Sequence, residues 1–514
     1  MSDGGFNDDL LDKELFGGGS EDLDGMDVDE IIGMGTSVAG PEGENSLGTL
    51  GANLSSLSGA ALDNNATTDG VDALAQDATR EGGDSNSQKL AALQPKTVDI
   101  DMDDPPGEIT VLTRQPHIPP TPSAELRDCA TYDILPTMLF VNANQIHAAA
   151  ATANMRWVFT GGEDGYVRKW DMDATAAGKQ PLTQGQRHSH VDSVNKAGVL
   201  ASYWDHSDKV DSGMEMLSPV YSLAVQSQAE WLVSGMKSGH IGLWSVRHDE
   251  GRRIALLAKH KKPVSVLRIS PDEFGLVSGS WDSAVLYWDL NTGKTARAFA
   301  GHVSQISSIE FRPTWSHADY AALTAATNQV VEESGSSFDS GTASPVLLTT
   351  SIDGQCYLWD VRAPNALGHG LNAAARTPRW ATSACWSTDG SRVYVGRRNN
   401  TIDEYDFAKM GTEPLRTLRL PSNSGPVTAL AAMPNGNSLV CASTDNVRMW
   451  TLEHATDSRG AVPFHIIPGH HGSTISGILV DPRARFMLTT SGNRGWEGTS
   501  NNVFLGYEIT PLAD

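Results

Sequence analysis

The sequence predicts an all-β protein: a seven-bladed β-propeller preceded by a disordered acidic N-terminal segment. One observation behind this prediction is a strand-turn-strand pattern that recurs along most of the chain. The other is the distribution of charge, because the first 108 residues hold 24 acidic and 4 basic side chains, whereas the rest of the chain holds 38 and 34. The net charge of −24 therefore belongs mainly to one segment.

The recurring pattern ends in Trp-Asp or a variant of it. Its copies end at Trp170-Asp171, Trp244-Ser245, Trp288-Asp289, Trp359-Asp360, Tyr405-Asp406, Trp450-Thr451 and Gly506-Tyr507. Uninterrupted copies lie 44, 46 and 45 residues apart, which is the period of a four-stranded WD40 blade. Gaps of 74, 71 and 57 residues indicate blades with insertions. Seven copies can close into a ring that leaves no long unpaired edge, with a strand near residues 132–135 completing the last blade.

The amino-acid composition divides the chain into three regions. Residues 1–108 contain only two aromatic residues, Phe6 and Phe16, so we expect a disordered acidic tail that cannot bury enough apolar surface to fold alone. Residues 109–128 are rich in proline and are expected to form an extended linker. Residues 129–512 form the predicted propeller, with insertions at about 187–216 and 316–344.

Two blades carry a complete set of the polar residues that typically link WD40 strands. These sets are His260, Ser278, Asp282 and Trp288 in the third blade, and His302, Thr349, Asp353 and Trp359 in the fourth. Buried polar groups need partners, and such a set satisfies itself. A hydrolase triad is the alternative, but the hydroxyl recurs inside strands and no Gly-x-Ser-x-Gly turn surrounds it. We therefore expect structural networks, no catalytic residues and no enzyme activity.

Several other kinds of site are not indicated. The four cysteines are far apart, and the His188-x-His190-x-Asp192 motif has no further ligands at a plausible spacing, so we expect no metal and no cofactor. No phosphate-binding loop or long apolar run is present, which argues against a small-molecule substrate and a membrane. The basic clusters at 252–253, 259–262 and 397–398 are too small for sequence-specific nucleic acid binding and are expected to be solvated or to make minor partner contacts.

Two groups of apolar residues are candidates for partner binding. Tyr203 and Trp204 fall in the first predicted insertion, where they either pack on the side of the propeller or anchor a partner. The second group is a helical stripe among the acids of the tail, which is suited to a basic, apolar groove or is merely part of a solubilising tail. That stripe consists of Phe6, Leu10, Leu11, Leu15 and Phe16.

Several segments between about residues 129 and 362 resemble a known WD40 family. They are WVFTGG at 157–162, KAGVL at 196–200, SPVYSLAV at 218–225, SVRHDEG at 245–251, WDLNTG at 288–293 and QISSIE at 305–310. In these segments the chain is similar to the WD40 subunit of the fungal SAGA coactivator that engages TATA-binding protein. The resemblance implies a nuclear coactivator subunit that binds TATA-binding protein and other subunits of a SAGA-type histone acetyltransferase complex, and so regulates RNA polymerase II transcription.

Two other functions stay open at this point. A WD40 propeller can be the substrate receptor of a ubiquitin ligase, although no F-box-like helical domain is visible in the sequence. It can also bind histones, because an acidic segment attracts basic partners.

Overall fold

The computed structural model describes residues 120–209, 214–313, 346–361, 368–373, 380–409, 413–452, 463–470, 472–493 and 500–512. The acidic segment 1–108, the insertion at 316–344 and most of the linker lie outside these residues. The described end of the linker contains a single turn of helix, α1 (Ala124–Arg127), whose first turn is capped by the Ser123 side chain.

Seven β-sheets form the blades, as the sequence predicts. From the innermost strand outwards, blade 1 is β2 (Ile146–Ala151), β3 (Trp157–Gly162), β4 (Tyr166–Asp171) and β6 (Val199–Asp205); blade 2 is β9 (Ser222–Val225), β10 (Trp231–Gly235), β11 (His240–Ser245) and β12 (Arg253–Ala258); blade 3 is β13 (Val264–Ile269), β14 (Gly275–Ser280), β15 (Val285–Asp289) and β16 (Lys294–Phe299); blade 4 is β17 (Ile306–Phe311), β18 (Val346–Ser351), β19 (Cys356–Asp360) and β20 (His369–Leu371). Blade 5 is β21 (Ala381–Trp386), β22 (Arg392–Arg397), β23 (Thr401–Asp406) and β24 (Arg416–Arg419); blade 6 is β25 (Val427–Ala432), β26 (Ser438–Ser443), β27 (Val447–Thr451) and β28 (Phe464–Ile467); blade 7 is β29 (Ile475–Val480), β30 (Phe486–Ser491), β31 (Phe504–Leu512), β1 (Thr131–Leu139) and β5 (Lys196–Ala197).

The ring closes by pairing the first strand with the last. Strand β1 runs antiparallel to β31, with Thr131 opposite Leu512 and Leu139 opposite Leu505. The prediction that a strand near 132–135 completes the last blade is therefore confirmed. Innermost strands pack against those of the neighbouring blades around the ring, and β29 packs against β2.

The first insertion differs from its predicted boundaries of 187–216. Residues 199–205 form β6, the outermost strand of blade 1, because they pair with β4 along its whole length. The extra residues lie between β4 and β6, and they contain α2 (Met172–Ala176), α3 (Gln184–His188) and β5. A small hairpin of β7 (Ser207–Lys209) and β8 (Glu215–Leu217) then leads to blade 2.

Apolar side chains fill the spaces between blades, and strands buried on both faces are apolar along most of their length. β18 and β26 are buried at every position, and Trp359 and Trp450 are among the largest fully buried side chains. Among the described residues, no helix is long and apolar enough to cross a bilayer.

Hydroxyl groups tie neighbouring innermost strands together. Ser222 donates to the carbonyl of Val264 at 2.7 Å, and Ser265 donates to the carbonyl of Ile306 at 2.7 Å. The same link recurs from Ser307 to blade 5, from Thr382 to blade 6 and from Ser476 to blade 1. Each link joins a side chain of one blade to a backbone carbonyl of the next, so these hydrogen bonds connect neighbouring blades around the axis.

Candidate functional site

The third-blade set forms one buried network. Ser278 Oγ lies 2.7 Å from His260 Nε2 and accepts a hydrogen bond from Trp288 Nε1 at 2.8 Å. The other imidazole nitrogen of the histidine, His260 Nδ1, lies 3.1 Å from a carboxylate oxygen of Asp282. Burial would raise the pKa of Asp282, but the hydrogen bonds from His260 and from the Lys261 backbone outweigh it and lower the pKa to about 2. The structure thus brings all four residues together.

The fourth-blade set also comes together, but through an additional residue. Thr349 Oγ1 lies 2.7 Å from His302 Nε2 and accepts from Trp359 Nε1 at 2.7 Å. His302 Nδ1 contacts Ser351 Oγ at 3.0 Å, and it is Ser351 that hydrogen-bonds to Asp353. In this blade a hydroxyl therefore bridges the histidine and Asp353, which in the third blade are in direct contact.

Blade 2 contains a network that the sequence did not reveal. His206 Nε2 lies 2.8 Å from Ser234 Oγ, which accepts from Trp244 Nε1 at 2.7 Å. The histidine precedes the hairpin instead of standing directly before its blade, so its spacing to Ser234 is irregular. A carboxylate is supplied by Asp208, which contacts His240 at 3.2 Å.

Three blades have substitutes for the network. In blade 1, Trp170 donates to Thr160 at 2.9 Å, while Asp164 pairs with Arg168 instead of a histidine. In blade 6, the indole of Trp450 donates to the sulfur of Cys441. In blade 7, His470 lies 2.6 Å from Thr489.

Blade 5 replaces the network with a buried ion pair. Arg397 was predicted to lie in a solvated basic cluster, but its side chain and that of Asp403 are both 0% exposed, and their charged atoms are 3.0 Å apart. The guanidinium also donates to Tyr405 and to the carbonyl of Gly354. The prediction for Arg397 is wrong because side chains alternate along β22, which directs Arg397 into the blade.

The burial of the hydrogen-bonded networks in blades 3 and 4 favours a structural role over a catalytic one. Ser278 and Thr349 are completely buried, and a nucleophile must be reached by its substrate. Among the described residues, no group of three metal-ligating side chains comes together. His188, Ser189 and His190 lie in and after α3, where His190 contacts the carbonyl of Gln186.

Because two histidines are buried, we expect the folded protein to lose stability at mildly acidic pH. Burial lowers the pKa of His206 and of His302 to about 4, below the value of about 6.5 in an unfolded chain. The unfolded state therefore binds more protons between these values, and stability falls as the pH drops from 6.5 towards 4. We expect a loss of about 2 kcal/mol per histidine at pH 5, measured by urea denaturation at pH 7.5 and pH 5.

Asp282 does not contribute in this window, because its lowered pKa affects stability only below about pH 4. A His302→Gln variant is expected to lose less stability between the two pH values than the unmodified protein. An equal loss in both proteins would contradict the assignment.

A central channel of about 630 Å³ runs between the innermost strands. Its walls are largely small side chains such as Ala148, Ala149, Ser222 and Ser307. Across blades 3 and 4, Arg268 pairs with Glu310 at 2.5 Å. The charged groups of this ion pair are therefore already engaged with each other.

The structure separates the two candidate anchors of the first insertion. Tyr203 is 64% exposed, whereas Trp204 is 8% exposed and packs with Phe159 and Val220. Neighbouring residues of a strand point to opposite faces, so the prediction of a partner contact is wrong for Trp204. The apolar candidates Phe6, Leu10, Leu11, Leu15 and Phe16 lie outside the described residues.

More exposed apolar residues follow Tyr203 in the hairpin. We call Tyr203, Met214, Met216 and Leu217 the edge surface, since all four are exposed. The Tyr203 ring lies 6.1 Å from that of Tyr166, and the neighbouring Gly165 packs against Leu217. Methionine adapts to differently shaped partners. Of these four residues, only Tyr203 was a candidate from the sequence.

These observations define the class of protein as a WD40-type β-propeller whose repeated polar residues hold blades together. The family model described as "SPT8 beta propeller" matches residues 132–344 and 325–510. The chain therefore belongs to the SPT8 β-propeller family.

Similar proteins agree with this assignment. The SAGA complex subunit Spt8 of Schizosaccharomyces pombe is 39% identical over 74% of this chain and 79% of its own length. The SAGA complex subunit SPT8 of Saccharomyces cerevisiae is 36% identical over 75% of this chain and 74% of its own length. More distantly, the protein ROOT INITIATION DEFECTIVE 3 of Arabidopsis thaliana is 26% identical over 55% of this chain.

Proposed function

We propose that this protein is a non-enzymatic subunit of a SAGA-type histone acetyltransferase complex in the nucleus, where its propeller binds TATA-binding protein and regulates transcription by RNA polymerase II. The observation that carries the proposal is membership of the SPT8 family over almost the whole ring. Both family relatives compared above are named as SAGA subunits and share 36–39% identity with it.

The arrangement of the propeller supports a docking role. The hydroxyls of Ser278 and Thr349 are buried and engaged with histidine and tryptophan, which leaves them unsuited to nucleophilic catalysis. A closed ring presents many loops on a rigid frame, and such loops commonly carry binding function. The acidic chain is also electrostatically suited to a basic DNA-binding partner.

A pull-down with purified TATA-binding protein tests the proposal. We expect capture at low salt and weaker capture as salt is raised, because charge attraction between exposed groups is screened. No capture at low salt would rule out a direct contact. Adding core histones as competitors distinguishes a histone-binding propeller, which the acidic segment also favours, since histones would then displace TATA-binding protein.

The edge surface is our candidate for the apolar part of this contact. Replacing Tyr203 with Ala is expected to weaken binding by about tenfold, since exposed aromatic anchors dominate many interfaces. Its ring is largely outside the core, so the thermal unfolding midpoint should hardly change. Binding is measured by biolayer interferometry.

Leu512→Ala provides the matched control, because Leu512 is an exposed apolar residue on blade 7, away from the edge surface. Equal effects of the two substitutions, or no effect of Tyr203→Ala, would place the contact elsewhere.

A further inference from the structure

Lysines and aromatic rings gather at one end of blades 2 and 3. They come from the turn between β10 and β11, the loop between β12 and β13, the turn between β14 and β15, and the start of β9. We call this group the basic-aromatic face, and its members are Tyr221, Lys237, Lys259, Lys261, Lys262 and Trp281.

Backbone contacts hold these segments side by side. The Trp281 N–H donates to the carbonyl of Pro263 at 3.0 Å, and the Lys261 N–H donates to Asp282 at 2.9 Å. The turn of blade 2 lies against the same loop, since a side chain at Gly239 would come within 2.9 Å of the Lys262 carbonyl. The backbone segments that carry the lysines are therefore held against one another.

The face carries more positive than negative charge. All four lysines are exposed, and within the described ranges none of them makes a side-chain ion pair. The nearby carboxylates of Asp282 and Asp208 contact His260 and His240, and Asp282 also accepts the backbone N–H of Lys261, so four lysine charges face two carboxylates. On the aromatic side, burial and, to a smaller extent, the charge of Glu163 raise the pKa of Tyr221.

The aromatic part of the face forms a short row across three blades. The rings of Tyr221 and Trp281 have centroids 5.3 Å apart at an angle of 64°, and the ring of His147 stacks on Tyr221 at 5.7 Å. Tyr221 and Trp281 are partly exposed. The indole N–H of Trp281 is buried and has no hydrogen-bond acceptor among the described residues. The face thus combines exposed cations with partly exposed apolar rings.

We propose that the basic-aromatic face binds an acidic segment of a partner protein, in which carboxylates flank an aromatic or aliphatic residue. Carboxylates complement the four ammonium groups, and the apolar residue packs against Tyr221 and Trp281. A basic partner is repelled here, so this surface is distinct from any that holds TATA-binding protein. The inference goes beyond the proposed function because it adds a second partner class at a separate place on the ring.

Fluorescence anisotropy on the full-length protein tests this inference. The probe is a labelled twelve-residue peptide of alternating Asp and Glu with one Phe and one Leu at its centre. Reversing two charges in Lys261→Glu/Lys262→Glu is expected to weaken binding by about tenfold, since two attractive contacts become repulsive. Trp281→Ala is expected to weaken it about fivefold by removing the apolar platform.

The matched control is Lys179→Glu/Lys294→Glu, which changes the net charge equally at two exposed lysines outside the face. We expect it to leave binding within about twofold, because attraction between separated surface charges is screened. A peptide with Gln and Asn in place of Glu and Asp should not bind.

Three results would overturn the proposal. Equal loss in both double variants would indicate general charge attraction. Tighter, lysine-dependent binding of a duplex DNA or RNA of similar charge would indicate a nucleic acid surface. Self-association that requires Lys261 and Lys262, seen by sedimentation velocity, would identify a second copy of the chain as the occupant.

Discussion

Replacing Asp403 with Ala is expected to destabilise the propeller by about 3–5 kcal/mol, because it leaves a buried guanidinium without its counter-charge. Arg397 and Asp403 are both completely buried, and Arg397 Nε donates to Asp403 at 3.0 Å. The total stability of a domain is only about 5–15 kcal/mol, so this single change should threaten folding.

The surrounding hydrogen bonds explain why the loss is large. Thr417 donates to the second carboxylate oxygen at 2.8 Å, and Tyr405 both accepts from Arg397 and donates to the Asn372 carbonyl at 2.7 Å. Removing the carboxylate leaves the buried Arg397 and the partly buried Thr417 each without one hydrogen-bond acceptor, and this cost adds to that of the unpaired charge.

Urea denaturation followed by circular dichroism measures the effect. Asp173→Ala is the control, since it breaks an exposed contact with Arg156 and should leave the midpoint unchanged. The double variant Arg397→Met/Asp403→Leu should recover much of the stability, because apolar residues can replace a buried ion pair. A loss below about 1 kcal/mol in Asp403→Ala would mean that water reaches the guanidinium.

Removing strand β1 is expected to abolish cooperative folding. A chain that begins at residue 141 lacks the strand that pairs with β31, together with the buried side chains of Tyr132, Ile134, Met138 and Phe140. Burying an apolar side chain contributes about 1.5–3 kcal/mol, so the four together approach the whole stability of a domain. The truncation also exposes β31 as an edge strand that can aggregate.

A chain that begins at residue 120 is the control for this truncation, since it keeps all described residues, and it should melt like the full-length protein. Adding a peptide of residues 129–141 to the shorter chain should restore a cooperative thermal transition. If the chain that begins at residue 141 melts cooperatively at the midpoint of the control, ring closure by β1 is unimportant for stability.

The sequence predicts the number of blades well because the repeat has its own chemistry. Trp at the end of the third strand, a hydroxyl ten residues before it and a histidine before the first strand recur for one physical reason, the burial of a shared polar network. Both the spacing of the repeats and the residue types of the network can be recognised in one amino-acid sequence. The ring and the sets of blades 3 and 4 could therefore be predicted without coordinates.

Features that depend on side-chain direction or on distant pairing could not be predicted in this way. His206 joins blade 2 across a hairpin, so its spacing to Ser234 matches no other blade. Arg397 resembled a surface charge beside Arg398 because its partner, Asp403, lies in the next strand. The sequence left open whether Trp204 packs on the propeller or anchors a partner, because the direction of its side chain depends on the pairing of β6 with β4.

Because β1 pairs with β31, blade 7 can be completed only when synthesis of the propeller ends. Thr131 and Leu512 are paired in the structure but lie at opposite ends of the propeller's sequence, and ribosomes add about 5–20 residues per second. On that scale, β1 leaves the ribosome tens of seconds before its partner exists. An emerging chain therefore carries an unpaired apolar strand until the last blade is translated, and molecular chaperones are the natural protectors of such a strand during that time.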